Sequence, residues 1–268
     1  MQIPQRGIAF FDSGIGGLTV LAECQKRISA PFYYYGDNAY APYGNRPPSE
    51  ITRRVFSAFS LFADMQVQAA VVACNTATAV CIDQLRQSFS FPIIGIEPAI
   101  RPAIQHGGEI FVLTTRATHD SQRFQTLCHQ LSIEYPTARI KPFPCESLAG
   151  DIERHLLDDG YDCTALLPQG NPNAVVLGCT HYLYMKSQIQ AYYRCPIYDG
   201  NEGVARRLQR LLTPLCEGFR DSQPLVTPDT NSQIYTQISF LGSAKAYNQH
   251  VYEQMFGKNR VKNGMKWS

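Results

Sequence analysis

Charge of one sign, long apolar runs and closely paired cysteines are all missing from this sequence, and each absence removes a class of function. Lys and Arg number 24 and Asp and Glu 22 in 268 residues, a formal net charge of +2. A balance that close offers no electrostatic case for nucleic acid or a membrane surface as partner. No run approaches the roughly 18 apolar residues of a membrane helix. The N-terminal stretch MQIPQRGIAFFDSG has one early Arg and a short apolar run. It lacks a full signal-peptide core and a small-residue cleavage site. The nine cysteines are an odd number, so they cannot pair completely, and none form a zinc-type C-x-x-C pair. The expectation is a reduced, cytoplasmic protein with no membrane, nucleic-acid or metal partner.

Short β-rich apolar runs, by contrast, are plentiful: GIAFF (7–11), FYYYG (32–36), AAVVA (69–73), PIIGI (92–96), EIFVL (109–113), AVVLG (174–178), CPIYD (195–199) and ISFLG (238–242). Most are continuous and do not alternate, which predicts strands covered on both faces. Helix-like stretches separate many of them. After Thr76, the positions Ala77, Cys81, Leu85 and Phe89 recur every four residues. Residues 49–63 repeat the pattern through Ile51, Val55, Phe59 and Phe62, with Ser49 as the expected N-cap. Alternating strand and helix predicts an α/β fold with mostly parallel sheets. Residues 214–236 are polar, carry little periodicity and read as a connector. No tandem repeat is evident, but VVACNTAT and VVLGCTHY share a design about a hundred residues apart, a hint of two similar halves.

The two echoing stretches raise the chemical question. Each apolar strand ends on a cysteine, and polar hydrogen-bonders follow at once. In open α/β sheets ligands gather beyond the carboxyl ends of the strands. A thiol at a helix N-terminus feels the helix dipole, which favours the thiolate, and free backbone N–H groups there suit a carboxylate. Cys74 and Cys179 are therefore candidate reactive thiols, with Asn75, Thr76 and Thr180 as donors. The plainer reading of a free cysteine is core packing. Cys24, Cys81, Cys128, Cys163, Cys195 and Cys216 are assigned to it.

In FFDSGIGGLTVL (10–21), Asp12 ends the first strand, Ser13 follows, and glycines turn the chain into a helix near Leu18. A dinucleotide fingerprint would need Gly where Thr19 stands, and no P-loop Lys is present. Asp12 is either a local cap or a carboxylate at the same sheet edge as the cysteines. GDNAYAPYGNRP (36–47) is either an ordinary turn-rich loop or a cover for a ligand. His181, two residues past Cys179, could be an acid/base, a partner for a thiolate, or with Cys179 part of a metal site for which no further ligands stand out.

Taken in order, DSGIGGLTVL, YGDNAYAPYGNR, VVACNTAT, FPIIGIEPAI, TTRAT, VVLGCTHY and YDG resemble the glutamate racemase branch of the Asp/Glu racemase superfamily. The resemblance covers residues 7 to about 212. It implies two pseudo-symmetric α/β domains, 1–97 plus 212–268 and 98–211, with the active site in the cleft between them. It also implies a homodimer and a cofactor-independent reaction that makes D-glutamate for peptidoglycan. Carried over by motif, Cys74 acts on the α-proton of D-glutamate and Cys179 on that of L-glutamate. Asp12 assists Cys74, and His181 assists Cys179. Ser13, Pro42, Tyr43, Gly44, Asn75, Thr76 and Thr180 hold the substrate. The family's T-x-x-T matches Thr115 and Thr118. Its C-P-x-x-V-x-x-x-E aligns with CESLAGDIE (145–153), which makes Glu153 a catalytic carboxylate, although the interior of that stretch departs from the pattern. No long extension precedes the first strand, so activation by a peptidoglycan precursor is not expected. The C-terminal region 213–268 matches only loosely, through SFLGSA. The competing readings are an aspartate or hydantoin racemase, a non-catalytic amino-acid-binding protein, and a hydrolase using Cys179 and His181.

Overall fold

A computed structural model of the chain describes residues 7–217 and 237–257. Nine strands alternate with helices in them. The strands are β1 (Ile8–Asp12), β2 (Phe32–Gly36), β3 (Ala69–Val72), β4 (Ile93–Gly95), β5 (Gly108–Thr114), β6 (Ala138–Pro144), β7 (Ala174–Gly178), β8 (Ile197–Tyr198) and β9 (Ile238–Gly242). The α-helices are α1 (Leu18–Gln25), α2 (Pro48–Asp64), α3 (Asn75–Ser88), α4 (Ile100–Ala103), α5 (Arg116–His119), α6 (Gln122–Glu134), α7 (Leu148–His155), α8 (Lys186–Tyr193), α9 (Asn201–Glu217) and α10 (Lys245–Phe256).

The strands form two wholly parallel sheets, ordered β4-β3-β1-β2-β9 and β6-β5-β7-β8. This is the α/β class that the apolar runs predict. Leaving β9 aside, both sheets are wound alike. The first strand is central, the second lies on one side, and the third and fourth on the other. The two cysteine stretches follow the third strand of each sheet, β3 and β7. Their similarity in sequence is thus a similarity of position.

Burial explains the continuous apolar runs. β1, β3 and β7 are covered on both faces. Ile8 and Phe10 join a core that extends to Phe111, Leu113, Val175 and Leu177 of the second sheet. Ala9 and Phe11 face α2 and α3 instead. A separate cluster of Ile110, Val112, Ala174 and Val176 packs against α4 and α6. The chain then returns to the first sheet, where β9 pairs with β2 and α9 packs on α1.

Three local expectations are corrected. β6, ARIKPFP, was not among the apolar runs. It is an edge strand, half exposed, and tolerates Pro142 and Pro144 because one side makes no ladder bonds. Helix α2 starts at Pro48 with Pro47 as its N-cap, so Ser49 does not cap it. Proline suits the first helical position because its missing N–H would be unpaired there anyway. The connector expected from residue 214 begins later, since α9 continues to Glu217; residues 218–236 lie outside the described residues. Among the described residues no helix is long and apolar enough to cross a membrane.

Candidate active site

Register places the site. β1 pairs Phe11 with Val72 of β3, and the ladder is extended by Ala73 N–H donating to Phe11 O at 2.8 Å. Cys74 therefore emerges beside Asp12 and Ser13. In the second sheet Thr114 pairs with Gly178, which sets Cys179 beside Thr115. Both thiols are nearly enclosed, Cys74 at 5% and Cys179 at 6% exposure.

The turn between β1 and α1 is pressed against the second half of the molecule, and glycine makes that approach possible. A Cβ on Gly16 would collide with Thr180 Oγ1, and would stand 2.7 Å from His181 Nδ1. Tyr34 and Tyr184 pin the same turn by donating to the carbonyls of Gly14 and Ile15, each at 2.7 Å. The glycines of DSGIGG are thus a close-packing device.

Cys74 is the N-cap of α3, its Sγ accepting from Ala77 N–H at 3.5 Å with Ser13 Oγ 3.7 Å away. The helix position was expected to favour the thiolate, and the structure corrects this for the enclosed form. Burial and the neighbouring Asp12 push the thiol up to about 12, against which the Ala77 N–H works too weakly. The negative charge of a Cys179 thiolate would raise it too, so the two sulfurs are close enough to interact. Asp12 is itself fully enclosed. Its Oδ1 accepts from Gly14 N–H at 2.8 Å and its Oδ2 from Thr180 Oγ1 at 3.2 Å. Burial raises its pKa, and His181 and the Gly14 N–H counter this.

Cys179 has a different setting. A 3-10 turn, Thr180–Met185, follows it in place of an immediate α-helix, and its side chain caps nothing. Its polar partner is His181, with Nδ1 3.8 Å from Sγ. His181 Nε2 bonds the Glu153 carboxylate. Burial alone would drive His181 towards the neutral form. Glu153 and Cys179 outweigh it, and its pKa stands well above the ordinary histidine value. Both ring N–H groups then donate, one to sulfur and one to carboxylate. Glu153, the residue whose motif departed from the family pattern, is thus brought to the site.

The remaining candidates converge as well. Thr76 Oγ1 lies 2.9 Å from Thr115 Oγ1 and 3.4 Å from that of Thr118, and Thr115 and Thr118 bond each other at 3.0 Å. Asn75 is buried, and its Nδ2 has no partner among the described residues. Tyr43 is enclosed and donates to Asp37 Oδ2 at 2.6 Å, Asp37 being paired with Arg54. Gly44 abuts Thr115, where a Cβ would stand 2.9 Å from the threonine Cβ. Pro42 packs near Gly150 of α7. A groove of 1060 Å³ opens beyond Gly44 and Ala117, with Arg46, Arg116 and Arg123 on its walls; neither thiol lines it.

Of the cysteines assigned to packing, Cys24, Cys81 and Cys163 are buried, Cys128 and Cys195 are half-buried, and all are free thiols. The Cys216 side chain lies outside the described residues. Among the described residues no three His, Cys, Asp or Glu are grouped to hold a metal ion. Two further residues, Asn38 and Asn248, carry no signal in the sequence and reach Glu153 in series. Asn38 sat inside GDNAYAPYG, but only its distance to a residue 115 positions away gives it meaning.

Residues 18–208 match the family model for Asp/Glu/Hydantoin racemases. A glutamate racemase of Clostridium botulinum (strain Okra / Type B1) is 36% identical over 226 residues, covering 79% of this chain and 86% of that protein. One from Clostridium kluyveri is 39% identical over 225 residues, with the same coverage of 79% and 86%. The crystal structure of a glutamate racemase isoform from Bacillus anthracis superposes with a TM-score of 0.75 at 28% identity, covering 94% of each chain. On the extent of these matches, the chain belongs to the Asp/Glu/Hydantoin racemase family.

Proposed function

We propose that this enzyme interconverts L- and D-glutamate with two thiols, one on each face of the α-carbon. The observation that carries the reading is the placement of Cys74 and Cys179 after equivalent strands of two like-wound sheets, each with its own polar partner. Racemisation removes the α-proton from one face and returns a proton to the other, so one acid/base group per face is the minimal solution. The glutamate racemases among the relatives support the substrate.

In this reading Cys179 takes the α-proton of L-glutamate while Cys74 delivers one from the opposite side. The high pKa of enclosed Cys74 suits the delivering role, since it arrives as a thiol. The reverse direction exchanges the roles. His181, charged and held by Glu153, supports negative charge on Cys179 sulfur. Asp12, with Ser13, serves Cys74. Asn75 Nδ2, buried and unpaired among the described residues, is a donor suited to a substrate carboxylate. Thr76, Thr115, Thr118 and Thr180 supply hydroxyls, and Tyr43 and Gly44, with Pro42, close the loop over them. Oriented donors in an enclosed site stabilise the carbanionic intermediate that a weakly acidic C–H demands. With both thiols enclosed, substrate access requires the two halves to part. The division proposed is 1–97 plus 212–268 against 98–211; α9 runs across that boundary and packs on α1 of the first. A cytoplasmic homodimer supplying D-glutamate for peptidoglycan completes the reading.

Circular dichroism of L-glutamate with purified enzyme and no added cofactor tests it. The signal should decay to zero, and Cys74→Ala and Cys179→Ala should each abolish the decay. A flat trace from folded wild-type enzyme, with decay on aspartate, would transfer the assignment to the aspartate branch.

A further inference from the structure

The polar partner of Cys179 does not end at Glu153. The other carboxylate oxygen, Oε1, accepts from Asn38 Nδ2 at 3.1 Å. Asn38 Oδ1 in turn accepts from Asn248 Nδ2 at 2.8 Å. Asn248 lies on α10 and is fully buried. A line of polar contacts thus runs from α10 through Asn38, Glu153 and His181 to Cys179 sulfur.

Donor order along that line is dictated by chemistry. A carboxylate only accepts, so Asn38 must turn its NH2 towards Glu153. Its carbonyl oxygen is left for Asn248, which must then present NH2. Asn248 Oδ1 is left buried without a partner among the described residues, and turning the amide over would set two carbonyl oxygens against each other, so the donor order is fixed from Glu153 outward. The backbone makes room for the arrangement. A Cβ on Gly36 would stand 2.5 Å from Asn248 Nδ2 and 2.6 Å from Asn38 Oδ1. Two further contacts fasten the same pieces: Ala39 N–H to Ser243 Oγ at 3.3 Å, and Tyr247 OH to Glu153 O at 3.4 Å.

We infer that Asn38 and Asn248 are positioning residues for the Cys179 face of the reaction. They fix which oxygen of Glu153 meets His181 and so keep the imidazole aimed at Cys179 sulfur. The inference rests on the two-thiol reading. Its effect is one-sided, because the line reaches Cys179 through His181 while Cys74 takes its contacts from Ser13 and Ala77. The charged or titratable groups around this line are Asp12 from β1, Tyr34 from β2, Glu153 from α7, Cys179 after β7, Tyr184 from the following turn and Tyr247 from α10. Neither asparagine is charged, so removing one alters aim and leaves the charge count intact.

The two enantiomers have equal free energy in water, so kcat/KM must be the same in both directions for every variant. Rate loss alone therefore cannot separate the faces, but the primary isotope effect can. With α-deuterated L-glutamate the bond broken is the one Cys179 attacks; with α-deuterated D-glutamate it is the one Cys74 attacks. Asn38→Ala, at a half-exposed position, should lower kcat/KM about ten- to a hundredfold, the worth of a hydrogen bond to a charged group, and Asn248→Ser, which loses a bond to a neutral amide, about two- to tenfold. The isotope effect should rise with deuterated L-glutamate only. Nitrogen-15 NMR of His181 should show its titration midpoint lowered in both variants. Asn248→Asp, which sets acceptor against acceptor, should do more damage than Asn248→Ser. Equal changes for both enantiomers, or an unmoved His181 signal in folded variants, would overturn the inference. Should wild-type enzyme not turn over glutamate, the His181 signal still decides. A displaced midpoint upholds the coupling and leaves only the substrate at fault.

Discussion

The two halves of the molecule solve one chemical problem with different parts. Cys74 caps a full helix, takes an N–H from Ala77 and has a buried carboxylate, Asp12, nearby. Cys179 caps no helix through its side chain and has an imidazole held by a carboxylate. The reaction proposed is symmetric and the strand order is repeated, yet the groups around the sulfurs are not. A helix N-terminus offers partial charge that burial easily overrides, whereas a paired imidazole brings a full charge that survives burial. The halves also cross-brace. Thr76, beside Cys74, bonds Thr115 of the second half, and Thr180, beside Cys179, bonds Asp12 of the first. Each thiol turn is therefore positioned by the opposite sheet.

Removing one thiol should break the comparison most severely. Racemisation should fall about a thousandfold or more in Cys74→Ala and in Cys179→Ala, the scale of losing general acid/base catalysis. Each variant retains one face, however. Cys179→Ala should still exchange the α-proton of D-glutamate with solvent deuterium, and Cys74→Ala that of L-glutamate, followed by proton NMR. Exchange of L-glutamate in Cys179→Ala and of D-glutamate in Cys74→Ala would mean that the faces are misassigned.

The cross-braces give the next effect. Thr180→Val removes a donor from buried Asp12 and should cost about 2 kcal/mol of stability, as for a hydrogen bond to a charged group. Thr76→Val leaves Thr115 and Thr118 bonded to each other and should cost about 1 kcal/mol, as for a neutral one. Urea unfolding measures both. Equal costs would argue that Asp12 carries no charge in the folded enzyme.

Much of this arrangement is legible in the sequence, and the limits are physical. AVVLG and AAVV are buried on both faces, so their residues need be nothing but apolar, and their runs announce the strands. ARIKPFP packs one face at a sheet edge and announces nothing. Cys74 and Cys179 stand out because polar residues follow a buried strand at once. Their different surroundings do not, since those are supplied by segments distant in sequence. Asn248 lies in the C-terminal stretch that resembles the family least, and only the return of β9 to β2 carries α10 back to Glu153. A residue that acts through two others leaves no local pattern to find.

The smallest expected effect separates the halves by pH. His181 has a folded pKa raised above its unfolded value of 6.5. The stability it contributes is complete below pH 6.5 and declines as pH rises from there towards the folded value, because the unfolded chain loses its proton first. Cys74 is raised from 9.0 to about 12, so its contribution is complete below pH 9 and declines between 9 and 12. Other buried thiols, Cys81 among them, also titrate late and slope the whole curve. The difference between wild type and a single variant cancels that background. The gap between wild type and His181→Asn should therefore begin to close above pH 6.5. The gap between wild type and Cys74→Ser should stay flat to pH 9 and shrink by about 1 kcal/mol at pH 10. Only the slopes matter, since each substitution adds its own constant offset. Two gaps closing over the same range would show that the sulfur and the imidazole titrate as one unit, and that the two halves differ in geometry but not in charge.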